Sequence, residues 1–271
     1  MILGIDIGGT TTDVVCFDKG NLSGFLTVKA DDPVTSASGA LGKFLSLHKV
    51  SLQEITSIAI TGVGSTSIGK ELFGIPLVKV DEFRAIGMGG LYLSGIDNAI
   101  VVSMGTGTAV VKAEGREVIH LGGTGVGGGT LLGLSRYMLN ITDFDTLIEL
   151  AETGDLARVD LSIGDIALAD IGDLPLDATA SNFGKHSDKA TSADIALGIV
   201  NLVCQTVGLM AIFAARNHDS KKVVLTGKMA GLQLARNVFN RLEQLLKVEF
   251  VVPDNAAFST AVGAAYSLLE K

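Results

Sequence analysis

Ile5-Asp6-Ile7-Gly8-Gly9-Thr10-Thr11-Thr12-Asp13-Val14-Val15 decides the reading of this 271-residue chain, because its pattern returns as Val102-Ser103-Met104-Gly105-Thr106-Gly107-Thr108-Ala109-Val110-Val111. Aligning Asp6 with Ser103 superposes Gly8 on Gly105, Thr11 on Thr108 and Val14 on Val111. Each copy follows an apolar run, 1–5 and 99–102, and leads into another. Both therefore predict a strand, a tight turn and a second strand. Glycine lets a backbone approach an anion closely, and successive turn N–H groups form a nest for one. Threonine hydroxyls add donors. Two such hairpins facing each other across a cleft would hold a polyphosphate between two related halves.

Neither turn is a P-loop, which needs a Lys-Ser/Thr pair after its glycines. Neither is a dinucleotide fingerprint, because the glycines lead into β-rich sequence rather than opening a helix. A third element, Val223-Val224-Leu225-Thr226-Gly227-Lys228-Met229-Ala230-Gly231, is again a strand running into a turn of small residues. Together the three resemble the two phosphate motifs and the adenosine motif of the actin-like ATPase superfamily of sugar kinases, heat-shock chaperones and actin. The resemblance implies an α/β chain with a duplicated actin-like (ribonuclease H-like) fold and a nucleotide in the cleft between two lobes. Residues 1–97 would form the first lobe and 98–271 the second.

Composition agrees with a soluble cytoplasmic enzyme. Glycine numbers 34 in 271 residues, well above the usual share and expected where tight turns are many. A net charge of −8, with no cluster of Lys and Arg, argues against a nucleic-acid partner. Cys16 and Cys204 are far apart and have no ligand-like spacing, so neither a disulfide framework nor a zinc site is implied. Met1 runs straight into a strand with no basic segment ahead of it, so no signal peptide is expected. The stretch 195–215 is apolar and long enough to span a bilayer. Gly198, Asn201, Gln205 and Gly208 recur on it at helical spacing as a small or polar stripe. It reads as the buried centre of a large domain, the stripe marking a close helix crossing or a subunit contact, with no membrane involved.

Elsewhere strands and helices alternate. Strands are predicted at 1–7, 12–17, 22–29, 56–61, 77–80, 99–103, 108–113, 222–226 and 248–252. Helices are predicted at 34–48, from 127 through Leu139, 143–152, 192–217, 232–246 and 256–269. The segment 155–190 is the least regular and most polar, and reads as surface loops carrying substrate or partner contacts.

Asp6 ends an apolar strand, where a carboxylate has little structural purpose. Hard cations on a nucleotide take carboxylate or carboxylate-bound water, so Asp6 reads as the Mg²⁺-side acid, through water. Gly8, Gly9, Thr10, Thr11 and Thr12 would hold phosphates by their N–H groups. The run 122–130, with six glycines in nine residues, is a third phosphate candidate ending at a helix N-terminus. Asp81-Glu82-Phe83-Arg84-Ala85 follows an apolar strand and puts carboxylates beside an aromatic. On residue type alone these are ordinary solvated loop acids.

A narrower resemblance covers essentially the whole length: the chain looks like a type II pantothenate kinase. Gly4-Ile5-Asp6-Ile7-Gly8-Gly9-Thr10, Glu82-Phe83-Arg84-Ala85, Gly105-Thr106-Gly107-Thr108, 122–130, Ile141-Thr142-Asp143, Ala180-Ser181-Asn182-Phe183-Gly184 and Asn255-Ala256-Ala257-Phe258-Ser259 carry it. The glycine turns identify only the fold, whereas the Asn-Phe-Gly and Asn-Ala-Ala-Phe-Ser stretches are more particular. The resemblance implies ATP- and Mg²⁺-dependent phosphorylation of pantothenate to 4'-phosphopantothenate, the first step of coenzyme A biosynthesis, by a homodimer. Glu82 would be the base that takes the acceptor's hydroxyl proton. Thr106, Gly128, Gly129, Thr130, Leu131, Leu132 and Phe144 would line ATP, and Gly227 would receive the adenosine. Thr106, His120 and Gly122 would join Glu82 around the small-molecule acceptor.

Three positions depart from that family's pattern. Asp13 stands where a lysine is usual, His120 where an arginine grips the substrate's carboxyl side, and Phe144 where a tyrosine is usual. A neutral imidazole holds a carboxylate less firmly than a bidentate guanidinium. A less anionic alcohol such as pantetheine, or a sugar, is the alternative acceptor. An ATP-dependent activator or sensor is the alternative class, weakened by two isolated cysteines where iron–sulfur activators need ligands.

Overall fold

A computed structural model describes residues 1–29, 31–167, 172, 174–185 and 187–269. The first meander is β1 (Ile2–Ile7), β2 (Thr11–Asp18) and β3 (Asn21–Lys29). It is followed by α1 (Pro33–His48), β4 (Ser57–Thr61), the short β5 (Glu71–Leu72), β6 (Ile75–Lys79) and α2 (Glu82–Ser94). The second meander is β7 (Asn98–Met104), β8 (Thr108–Glu114) and β9 (Glu117–Thr124). Then come α3 (Gly128–Leu139), α4 (Phe144–Ala151), β10 (Leu161–Ser162), α5 (Ile163–Ile166), β11 (Thr179–Ser181) and the long α6 (Ser192–Asn217). The described part closes with β12 (Lys222–Thr226), α7 (Gln233–Leu246), β13 (Glu249–Val251) and α8 (Ser259–Leu269).

The two main sheets repeat one topology. The first runs β3-β2-β1-β4-β6-β5 and the second β13-β12-β7-β8-β9, so β1, β2, β3, β4 and β6 answer to β7, β8, β9, β12 and β13. In each, three antiparallel strands join a strand parallel to the first, Thr61 pairing with Asp6 and Thr226 with Ser103. The sequence repeat is thus a structural one, with one amendment. Ile7 pairs with Thr12 across the first turn, but Met104 pairs with Thr108 across the second. The second turn is one residue shorter, so Thr12, not Thr11, is the counterpart of Thr108 in the repeat, and Val14 answers to Val110.

Apolar cores cover both faces of each main sheet. α1 buries Ala37, Leu41 and Phe44 against Leu3, Ile5 and Ile58. Asp32 caps it, accepting from Thr35 N at 2.7 Å, and Pro33 sits where its missing N–H costs nothing. α6 buries Ile199, Val203 and Val207 against Ile100, Val102 and Leu225. The inner faces are covered crosswise. α2 packs on β7, β8, β9 and β12, whereas α8 packs on β1, β2 and β4. The two helices cross in backbone contact: a β-carbon on Gly89 would lie 1.8 Å from Ser259 O, and one on Gly263 1.9 Å from Ala85 O.

α2 and β9 lie where no element was expected. The long apolar helix expected near 192–217 is α6, and it is long and apolar enough to cross a membrane. Its stripe is used inside the molecule. Gly208 admits Leu242 and Phe239 of α7, and Gly198 admits Phe183. Asn201 Nδ2 donates to Asp160 Oδ2 at 2.7 Å, and Gln205 Nε2 to Thr179 Oγ1 at 3.2 Å. Residues 168–171, 173 and 186 of the loop-like segment fall outside the described residues.

Candidate active site

The two glycine-threonine turns face each other. Gly8 N donates to Thr11 O at 2.9 Å, closing the first turn, with Gly9 and Thr10 exposed at its tip. A β-carbon on Gly9 would sit 3.7 Å from Thr106 Oγ1 of the second turn. That is ordinary van der Waals distance, so the two turns approach within about one side-chain atom of each other. Thr11 is half-buried, while Thr12 is wholly buried with its hydroxyl unpartnered, so its side chain faces the interior.

The glycine run 122–130 splits between two elements. Gly122, Gly123 and Thr124 end β9, and Gly128 begins α3. The free N–H groups expected at this helix start are engaged: Gly128 N donates to Gly105 O at 2.9 Å and Gly129 N to Thr106 O at 2.8 Å. Thr130 Oγ1 donates to Gly125 O at 2.8 Å, and Thr108 Oγ1 to Val126 O at 2.8 Å. The run therefore braces the second turn from behind. Leu131 is fully buried, Leu132 is half-buried, and Phe144 packs at the edge of the α6 core.

An acidic group gathers beside the first turn. Asp6 and Asp13 are cross-strand partners in β1 and β2. Asp6 is half-buried, and its pKa is pushed up to about 7 by burial first, then by the charges of Asp13 and Glu82, against the pull of Lys228. Asp13 is 7% exposed and also raised by burial, although Lys228 and the Thr27 hydroxyl favour its charged form. Lys228 Nζ lies 3.5 Å from Asp13 Oδ1. Glu82 is raised by burial and then by Asp81. It is not a loop residue: it is the first residue of α2, whose N-cap Asp81 accepts from Arg84 N at 2.9 Å.

Beside Glu82, the rings of Phe83 and His120 stack with centroids 3.7 Å apart. β9 thus brings His120 next to α2, with Gly122 two residues on. On the other side of the turns, Gly227 follows β12 at φ +87°. A β-carbon there would lie 2.4 Å from Met104 O, and Gly227 N donates to Ala256 O at 2.9 Å. Gly227, Arg236, Asn255 and Phe258 line a cavity of about 230 Å³. The first half repeats this device at Gly62, φ +85°, pressed against Asp6 Oδ1 and Ile7 O.

Sequence reading passed over Gly62, the Lys228 partner of Asp13 and the role of Asp160. The Thr-Gly pairs 61–62 and 226–227, each ending an apolar strand, were the available signal for the first. Nothing local marks the other two. Asp160 is buried, accepting from Phe183 N at 2.9 Å and from Asn201, so the Asn-Phe-Gly stretch is clipped onto α6.

Paired sheets of one topology, with opposed glycine turns between them, define the actin-like ATPase fold. Solved structures agree on the fold. The activator of 2-hydroxyisocaproyl-CoA dehydratase from Clostridium difficile with bound ADPNP matches at TM-score 0.70 and 19% identity, over 99% of this chain and 94% of that one. A ROK family glucokinase from Streptomyces griseus, in complex with glucose and AMPPNP, matches at TM-score 0.63 and 12% identity, over 100% and 99%.

Sequence relatives narrow the class. The Fumble family model matches residues 97–240. The type II pantothenate kinase of Bacillus anthracis is 30% identical over 240 residues, 83% of this chain and 82% of that one. Those of Bacillus cereus and Staphylococcus epidermidis are 29% and 35% identical, over 97% and 63% of this chain and 96% and 66% of theirs. The chain belongs to the type II pantothenate kinase family.

Proposed function

We propose that this protein transfers the γ-phosphoryl group of ATP to the hydroxyl of pantothenate, giving 4'-phosphopantothenate at the entry to coenzyme A biosynthesis. The observation that carries the reading is the approach of Gly9 to Thr106 across the cleft, with Glu82 in the same electrostatic cluster as Asp6. Residues 1–97 and 98–271 are taken as the lobes. Gly9, Thr10 and Thr11 hold phosphates from one side through main-chain N–H groups, with Gly8 holding the turn closed behind them, and Thr106 does so from the other. Gly128, Gly129 and Thr130 keep that second turn in place, and Gly227 opens the adenosine side. Thr12, Leu131, Leu132 and Phe144 support the pocket from within.

Glu82 takes the acceptor's hydroxyl proton. Its raised pKa keeps it a stronger base than a solvated glutamate. Phe83, His120 and Gly122 form the wall facing the acceptor's carboxyl side. Among the described residues no group of three or more His, Cys, Asp or Glu could hold a metal by itself. That fits Mg²⁺, which rests on one or two carboxylates plus substrate phosphates, with Asp6 as the carboxylate, through water. When bound, Mg²⁺ neutralises phosphate oxygens on the transferring group. Positioning and electrostatics account for most catalysis of this kind. The protein is placed in the cytoplasm as a homodimer.

The activator alternative is disfavoured by the cysteines, since Cys16 and Cys204 are both buried, in separate cores. Mass spectrometry of products from ATP, Mg²⁺ and either pantothenate or pantetheine tests the proposal. Phosphopantothenate is the expected product. Phosphopantetheine alone would move the acceptor, and hydrolysis or silence with every alcohol offered would remove the kinase reading.

A further inference from the structure

Lys228 is not required by the turn that carries it. That turn is the repeat of the one at Gly62, and the position answering to Lys228 is Val63, 65% exposed and apolar. Its ion pair is lopsided, the lysine side chain being 40% exposed and that of Asp13 only 9%, so the ammonium reaches solvent while its partner stays buried. Its place is nonetheless tightly fixed. Gly227 is pinned between Met104 and Ala256, and Met229 Sδ would lie 3.7 Å from a β-carbon on Gly128. The lysine therefore starts behind the second phosphate turn, at the rim of the 230 Å³ cavity, and ends beside the strand leaving the first.

Three carboxylates, Asp6, Asp13 and Glu82, already crowd this cleft, and a polyphosphate entering it would add further negative charge. Lys228 is the cation whose field reaches both Asp6 and Asp13. From this placement we infer that Lys228, delivered by the second half and parked on Asp13 while the cleft is empty, is the cation that grips the nucleotide's β- or γ-phosphate. Asp13 acts as a positioning residue. It holds the ammonium over the first turn and yields it to phosphate oxygens, which bind a cation in the same charge-assisted way. The inference rests on the ATP-dependent reading of the cleft and adds the residue that discriminates nucleotides by phosphate number.

Calorimetric titration of the full chain with ATP, ADP and AMP tests it. Lys228→Gln is expected to weaken ATP and ADP by about 10- to 100-fold and AMP much less, the range for a hydrogen bond to a charged group. Lys228→Arg should keep most of the preference. The exchange Asp13→Lys with Lys228→Asp should restore it in part, which a merely structural ion pair would not do for nucleotide selectivity. In the wild-type protein, acetylation footprinting by mass spectrometry should show Lys228 protected by ADP and not by AMP. An unchanged ATP-to-AMP preference in a folded Lys228→Gln protein, or equal labelling of Lys228 with and without ADP, would overturn the inference. If ATP binds and is turned over normally in that variant, the kinase reading survives; if the wild type binds no ATP, both fall.

Discussion

At the residue scale, the site is a balance of acids. Glu82 stands at the first position of α2, where burial and then the charge of Asp81 raise its proton affinity. Glu82→Gln keeps the shape and removes the base. Turnover should fall by about 10²- to 10⁴-fold while ATP affinity, read by titration, stays nearly unchanged. A variant that retains most of its turnover would exclude Glu82 as the base. Asp6 makes an opposite kind of prediction. A carboxyl whose folded pKa is raised to about 7 from 3.8 opposes folding once ionised: the favourable protonated form is complete below the lower value and lost as pH rises through the upper. In metal-free protein, Asp6→Asn should therefore raise the melting temperature at about pH 8 and leave it unchanged near pH 4. Equal melting shifts at both pH values would mean that Asp6 is not strained. The identity of Asp6 as special was legible from a charge at the end of an apolar strand. The ion pair of Asp13 was not, because its partner lies 215 positions along the chain and only folding joins them.

At the element scale, glycine both hid and explains a helix. α2 was not expected from sequence, since Gly87, Gly89 and Gly90 each cost about 1 kcal/mol of helix propensity relative to alanine. The cost is accepted because α2 must meet α8 backbone to backbone. A methyl on Gly89 would strike Ser259 O, whereas one on Gly39 of α1 would meet nothing within 4 Å. Gly89→Ala should lose about 3 kcal/mol or more in urea unfolding, and Gly39→Ala should gain about 0.5–1 kcal/mol. Comparable effects at the two sites would contradict the crossing. β9 was missed for a related reason: Gly122 and Gly123, near its end, read as part of the glycine run 122–130. By contrast α6 was plain from its long apolar run and the helical spacing of its small or polar stripe, and the main strands from apolar runs ended by turns.

At the scale of the whole molecule, the duplicated turn was enough to foresee paired sheets with an opening between them. What it could not foresee is the exchange of covers, because helix packing partners leave no trace in local pattern. α2, encoded before the second meander, lies under the second sheet, and α8, encoded after everything else described, lies under the first. A ribosome emitting this chain thus cannot complete its opening half and move on. The face formed by Val15 and Phe17 stays without its partners Ala261, Val262 and Ala265 until those distant residues emerge. The nascent protein must carry an uncovered apolar surface while all the chain between them is made, and holding that surface out of aggregates falls to whatever chaperones attend it.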